Sequence, residues 1–139
     1  MRQSILLPAM LAAAFSTVVI ARAADEATAP RPGKYTCMGY NGVSFGMFRW
    51  YLTIDGHTYK QTKPDLAAGA YTFNPTTKIL TFTSGPYVAN NFLGKFSVER
   101  EGKTHKIILR DKAKEAQGPR VGEYSNFYCN NSTDNPPPP

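Results

Sequence analysis

The sequence predicts an all-β domain that folds as a small eight-stranded antiparallel up-and-down barrel closed by one disulfide. Apolar and polar residues alternate with period two in almost every segment after residue 32, and Gly, Pro, Asn or Asp separates the segments. The only two cysteines, Cys37 and Cys129, lie close to the two ends of this region. A bond between them would join the first strand to the last, and a closed sheet has no exposed edge. A four-residue motif of Gly, any residue, an aromatic residue and a hydroxyl residue starts at Gly33, Gly69, Gly94 and Gly122.

The first residues predict a secretory signal peptide over residues 1–23. Arg2 precedes an apolar run from residue 5 to residue 20, and the segment ends at Ala23 with small residues at alternate positions. The run contains Pro8 and is shorter than the ~20 residues that usually span a bilayer. We therefore expect cleavage after Ala23, a periplasmic or secreted protein, and no transmembrane segment.

Cleavage would leave 116 residues and lower the formal net charge from +6 to +4, which is enough chain for one domain. We expect a flexible leader over residues 24–32, a single β-barrel domain over residues 33–129, and a disordered Pro-rich tail over residues 130–139. Two overlapping glycosylation sequons, at Asn130 and Asn131, matter only in a eukaryotic host. We expect a monomer.

The two cysteines of an exported chain predict one disulfide, because oxidising compartments favour the bond. Cys37 and Cys129 are 92 positions apart, and closing a loop of that length stabilises the fold by roughly 4 to 5 kcal/mol. The chain has no Cys-x-x-Cys spacing that would favour a reactive or metal-binding thiol pair.

Eight strands follow from the alternation and the turn residues. They are predicted at residues 33–39, 44–54, 57–61, 69–73, 78–84, 94–100, 103–110 and 122–129. Eight strands suffice for an up-and-down sheet to close with its interior filled by side chains. A two-sheet β-sandwich built from the same strands remains the alternative, because one sequence does not reveal strand pairing.

Three hairpins set the expected register. Asp55-Gly56 is a two-residue turn signal, so we expect Ile54 opposite His57 and Leu52 opposite Tyr59. In the second hairpin, Tyr71 and Phe73 share a face with Leu80 and Phe82. In the third, which turns at Glu101-Gly102, Phe96 and Val98 lie opposite Ile107 and His105.

The repeated motif has an architectural explanation. Each Gly would end a loop that needs backbone freedom, and the aromatic residue two positions later would fill the core. The expected large core residues are Phe48, Trp50, Tyr71, Phe82, Phe96 and Phe127.

The connections predict which end of the barrel carries function. Strands that alternate in direction place three tight turns at one end and every long loop at the other. Long loops on a rigid scaffold are where binding residues tend to lie. The candidate ligand- or partner-binding residues there are Tyr40, Asn41, Lys63, Tyr87, Asn90, Asn91, Lys114 and Arg120.

The pattern resembles two groups of small exported barrels. The strand meander, the early "GKY" at Gly33 and the contrast between the two ends resemble the calycin, lipocalin and avidin-like group. "YTC" at Tyr35, "SGPY" at Ser84 and the late Cys129 resemble periplasmic inhibitors of c-type lysozyme. The first resemblance implies capture of a small ligand, and the second implies inhibition of a protein partner.

Catalytic chemistry has little support in the sequence. The only histidines, His57 and His105, fall near tight turns, and alternation points both towards the interior. The chain has no Gly-rich phosphate loop, no Gly-x-Ser-x-Gly motif and no zinc-ligand spacing. We predict no catalytic residues, no metal site, no cofactor and no nucleic-acid partner.

The sequence thus predicts a small exported non-catalytic binding module. The first hypothesis is capture of a small amphipathic or anionic ligand in a cavity at the long-loop end, bordered by Tyr40, Tyr87 and Arg120. The alternative is a protein–protein interaction or inhibitor module that uses the loop at 85–92, with Tyr87 exposed as an interface anchor. A secreted enzyme is the second alternative, and it would need a histidine beside a carboxylate in an open cleft.

Overall fold

The computed structural model describes residues 28–44 and 46–139. The predicted signal peptide lies outside the described residues. The eight strands are β1 (Gly33–Gly39), β2 (Met47–Ile54), β3 (Thr58–Thr62), β4 (Gly69–Asn74), β5 (Ile79–Phe82), β6 (Phe92–Glu99), β7 (Thr104–Asp111) and β8 (Phe127–Ser132). Each strand pairs antiparallel with the next, and β8 pairs with β1, so the sheet is a closed barrel. The predicted barrel is confirmed, and the sandwich alternative is wrong.

The seam between β1 and β8 is short and covalently fastened. Cys37 lies directly opposite Cys129, flanked by the pairs Thr36 with Asn130 and Met38 with Tyr128. The two cysteines form the predicted disulfide, with Cα atoms 3.9 Å apart and no exposed surface.

Two of the four repeated motifs open strands as predicted, and two do not. β1 and β4 begin at their motif glycines. Gly94 instead lies inside β6, where a Cβ atom would come within 3.0 Å of the Leu80 Cβ atom. Gly122 adopts a left-handed φ of 64° before a short 3-10 helix (Glu123–Ser125). The last strand consequently runs over Phe127–Ser132 and not over the predicted 122–129.

The barrel interior is filled by apolar and aromatic side chains. The buried hydrophobic residues are Tyr35, Cys37, Leu52, Ile54, Tyr59, Tyr71, Leu80, Phe82, Tyr87, Phe96, Ile107, Leu109 and Cys129. Trp50 and Phe127 are partly buried against them, with ring centroids 4.5 Å apart. The prediction of a core Phe48 is wrong, since it is 42% exposed. A β-bulge at Arg49 shifts the alternation of β2 and places the Phe48 ring on the outer face beside Tyr51.

The register of the first hairpin differs from the prediction, and the other two are confirmed. Ile54 pairs with Tyr59, not with His57, because the turn is centred one position later. The Asp55 carboxylate accepts hydrogen bonds from the N–H groups of His57 and Thr58 and from the Thr58 hydroxyl. These bonds lower the Asp55 pKa to about 2 and hold the turn in this register.

Two short helices lie in the long connections, where the sequence predicted none. They are α1 (Pro86–Ala89), which begins at a proline, and α2 (Lys112–Gln117), whose N-cap Asp111 accepts from the Ala113 N–H. None of the helices in the described part of the chain could span a bilayer.

Candidate functional site

Exposed apolar side chains gather where the β1–β2 connection meets the β7–β8 connection. Val43 is 87% exposed, Met47 46% and Tyr124 60%. The Tyr40 ring packs against the Tyr124 ring with centroids 4.8 Å apart, and Met47 pairs with the residue that precedes Tyr40. We call these four residues, Tyr40, Val43, Met47 and Tyr124, the loop-end patch.

A tight turn presents Val43 to solvent. The Asn41 side-chain oxygen accepts hydrogen bonds from the backbone N–H groups of Val43 (2.9 Å) and Ser44 (2.8 Å), and the Asn41 N–H donates to the Ser44 carbonyl. Arg49 closes the base of the connection by donating to the Tyr40 carbonyl. Asn41 was predicted to bind ligand or partner, and in this structure its carboxamide oxygen shapes the loop.

A buried arginine anchors the other connection. Arg110 is 2% exposed on the barrel wall, and its Nε atom lies 2.5 Å from a Glu115 carboxylate oxygen. Its Nη2 atom also donates to the carbonyls of Gly118 and Lys114. Glu115 makes a second ion pair with Lys95 at 2.9 Å, and its pKa is lowered chiefly by the hydrogen bond from that lysine. The segment that leads to Tyr124 is thereby fixed to β6 and β7.

Tyr87 closes the long-loop end of the barrel from within. It has no exposed surface, and its ring stacks on Tyr59 with centroids 4.6 Å apart. Its N–H donates to the Tyr59 hydroxyl, and its own hydroxyl donates to the Gln61 side-chain oxygen, both at 3.0 Å. Burial raises the pKa of the Tyr87 hydroxyl. The expectation of an exposed Tyr87 is wrong, because α1 folds this residue into the core.

The remaining predicted residues occupy separate parts of the long-loop end. Asn90 is the C-cap of α1, and Asn91, at a φ of 56°, accepts from the Lys112 N–H. The Lys63 ammonium lies 5.6 Å from the centre of the Tyr51 ring. Of the predicted residues, Tyr40 is a member of the loop-end patch, and Asn41 forms the turn that carries Val43. Lys114 lies in the neighbouring connection, where its ammonium donates to Ser125, and Arg120 is exposed in the same connection.

The two histidines do not meet inside the barrel. The shifted turn leaves His57 exposed. His105 is 5% exposed, and its Nδ1 atom accepts the Arg31 N–H at 2.9 Å. Burial, followed by the Arg31 charge, lowers the His105 pKa. The Arg31 guanidinium also donates to the Asn131 side chain and the Gly102 carbonyl. His105 is therefore one of the groups that hold the N-terminal segment against the barrel.

Metal ligands are not grouped in the part of the chain that the structure describes. No three His, Cys, Asp or Glu side chains there are placed to hold a metal ion. Comparisons of the chain with protein-family models, curated proteins and solved structures found no match.

Proposed function

We propose that the mature chain is an exported, non-catalytic binding module that contacts another protein through the loop-end patch. The observation that carries this proposal is the exposure of Val43, Met47 and Tyr124 at one end of the barrel. Apolar and aromatic side chains that project together from loops are typical of protein-interaction sites. The tethered connections on both sides hold the patch in place, which lowers the entropy lost on binding.

The packed interior favours a surface contact over a ligand held inside the barrel. A cavity bordered by Tyr40, Tyr87 and Arg120 would need Tyr87 at its wall, and this side chain is stacked in the core. The same burial argues against the loop at 85–92 as the insertion element of an inhibitor. We therefore propose that the partner contacts Tyr40, Val43 and Met47 on one connection and Tyr124 on the other.

The net positive charge of the protein favours an acidic partner, and its disulfide favours an exported location. The formal net charge of +4 expected after cleavage would favour association with a negatively charged protein. The Cys37–Cys129 bond suits an oxidising compartment, in keeping with a periplasmic or secreted protein released by cleavage after Ala23.

Site-specific photocrosslinking in the native host tests the proposal. A photoreactive residue at Val43 should give a discrete adduct with one protein, and Tyr124→Asp should abolish that adduct. The matched control carries the photoreactive residue at Thr76, which is exposed in the β4–β5 turn at the opposite end. Equal adducts at the two positions would contradict a partner site at the patch. Native mass spectrometry could instead reveal a small-molecule adduct that is lost on denaturation. That result, together with the absence of a protein adduct at Val43, would favour the first hypothesis of ligand capture.

A further inference from the structure

The segment that precedes β1 packs against the end of the barrel that carries the β6–β7 turn, which we call the turn end. We call residues 28–32 the N-terminal strap. Pro30 is buried in it, and Arg31 is partly buried. Arg31 makes hydrogen bonds to β1, β7, β8 and the β6–β7 turn, so this one residue fastens the strap to four parts of the barrel.

A ring nitrogen of His105 binds the backbone of the strap. The His105 Nδ1 atom accepts the Arg31 N–H at 2.9 Å. A ring nitrogen accepts only while it carries no proton, so the neutral ring has its proton on Nε2 in this arrangement. Protonation adds a hydrogen to Nδ1 and makes that atom a donor. The Arg31 N–H would then face a second N–H, and the hydrogen bond is lost.

The other groups that bind Arg31 keep their protonation state near neutral pH. The guanidinium donates to the Asn131 side-chain oxygen at 3.0 Å and to the Gly102 carbonyl at 3.2 Å. The Tyr35 hydroxyl donates to the Arg31 carbonyl at 2.7 Å, and burial raises the pKa of this hydroxyl, so it stays neutral. His105 is therefore the group that makes the attachment of the strap depend on pH.

A protonated His105 would also meet a positive charge. The ring packs against Phe96 with centroids 5.4 Å apart, and its cross-strand partners are Val98 and Asn131, all of which are uncharged. Among the described residues, Arg31 is the charged group that acts on the ring. Two positive charges that are partly shielded from water repel each other, so the attached strap disfavours the imidazolium.

Protonation and release of the strap are coupled by linkage. Burial, followed by the Arg31 charge, holds the His105 pKa below its ordinary value of 6.5. A released strap would expose the ring to water and remove Arg31 from it, so the released state binds the proton more tightly. Proton binding must then favour release by the same factor. The attached state is fully favoured above pH ~7 and loses this advantage as the pH falls below ~6.5.

From these contacts we propose that protonation of His105 releases the N-terminal strap from the turn end of the barrel. Release uncovers the His105 ring and the Tyr35 hydroxyl, which the strap covers at neutral pH. The loop-end patch lies at the opposite end, so this response to pH is independent of the proposed protein contact.

Amide hydrogen exchange of the ¹⁵N-labelled protein at pH 7.5 and pH 5.5 tests the inference. The protection factor of the Arg31 amide corrects for the intrinsic effect of pH on exchange. It should fall by about tenfold at the lower pH, because a released ring with the ordinary pKa gains that factor in proton binding between the two pH values. The Asn90 amide, which donates to the Pro86 carbonyl at the opposite end, is the reference and should stay within about twofold.

Two histidine variants assign the effect. In His105→Asn the side-chain oxygen offers an acceptor near the Nδ1 position and does not titrate, so the Arg31 protection factor should stay within about twofold between the two pH values. The matched variant His57→Asn removes an exposed histidine and should keep the tenfold fall.

A third variant tests the linkage without altering any charge. Tyr35→Phe removes the hydrogen bond to the Arg31 carbonyl and so weakens the strap. Because a weaker strap is released more easily, the His105 pKa measured by NMR titration of the ring should rise towards its ordinary value. This measurement remains informative if His105→Asn fails to fold.

Three results would overturn the inference. The first is an Arg31 protection factor that changes by less than about twofold between the two pH values in the wild type. The second is an equal fall in the wild type and in folded His105→Asn, which would assign the release to another group. The third is the same His105 pKa in Tyr35→Phe and the wild type, which would show that the ring titrates without moving the strap. None of these results bears on the loop-end patch, so the two proposals succeed or fail separately.

Discussion

Removing the disulfide should destabilise the barrel by roughly 4.5 kcal/mol. The perturbation is the double substitution Cys37→Ala/Cys129→Ala. The two cysteines are 92 positions apart, and the loop-closure entropy that the bond removes from the unfolded state gives this magnitude at 25 °C. Such a loss is a third or more of the total stability of most domains of this size.

Urea unfolding of the variant and the wild type measures the loss. The variant should unfold at lower urea with a steeper dependence on urea, because an unfolded chain without the cross-link exposes more surface. The wild type under a reducing agent is the matched control, since it keeps both buried sulfur atoms in place. A difference between oxidised and reduced wild type of less than about 1 kcal/mol would refute the loop-closure reasoning.

Hydrogen exchange localises the effect. The β1–β8 seam has three paired positions, whereas the β6–β7 ladder has eight. Loss of the bond should therefore accelerate exchange of the Met38 and Asn130 amides more than exchange in the middle of β6. Uniform acceleration over both ladders would contradict a local role for the bond at the seam.

Three further variants test buried polar contacts in the same urea assay. Glu115→Ala should destabilise the fold by about 2 to 3 kcal/mol, because it leaves the buried Arg110 guanidinium without its carboxylate. The control Glu99→Ala, which removes an exposed ion pair, should destabilise the fold by less than about 1 kcal/mol. Equal losses of stability in the two variants would contradict this reasoning. The lowered His105 pKa means that the unfolded state binds the proton first. The contribution of His105 to stability should therefore be complete above pH ~7 and be lost as the pH drops below ~6.5, by up to ~1.4 kcal/mol per unit of pKa difference. His105→Asn should flatten this decline between pH 7.5 and 5.5, and His57→Asn, at an exposed position, should leave it unchanged; a decline that survives in His105→Asn assigns it to another group. Tyr87→Phe should lose about 1 to 3 kcal/mol by leaving a buried amide oxygen without a donor, and a loss below about 0.5 kcal/mol would show that this hydrogen bond contributes little.

The fold could be predicted from the sequence because the signals that define it are local. Period-two alternation and turn residues define antiparallel neighbours in a meander, and the positions of Cys37 and Cys129 indicated which strands close it. The registers of Tyr71 with Phe82 and of Phe96 with Ile107 followed from the same alternation. A turn displaced by one position was enough to move Ile54 from His57 to Tyr59, because antiparallel partners shift by two positions for each such step.

The candidate site was harder to predict because it depends on contacts between distant segments. The sequence predicts Tyr87 in a loop. The structure shows that Tyr87 lies in α1 and that its side chain is buried in the core. Nothing near Arg110 in the sequence distinguishes it from a surface arginine, yet it anchors the connection that carries Tyr124. The Pro-rich tail was predicted to begin at residue 130, but Asn130, Asn131 and Ser132 belong to β8. Disorder of the residues that follow and the absence of an enzymatic function remain predictions.

The seam also sets when the molecule can be completed during its synthesis. The ribosome delivers β1 first and β8 last, so the partners of Thr36, Cys37 and Met38 are absent until nearly a hundred further residues have been made. Six of the seven consecutive hairpin contacts can form while β8 is still missing, but the half-finished sheet keeps two open edges. The bond within the chain must wait for Cys129, and until then any disulfide that Cys37 forms joins it to another molecule. We therefore expect the pairing of β1 with β8 to be the last step of folding, because it joins the two most distant strands of the chain.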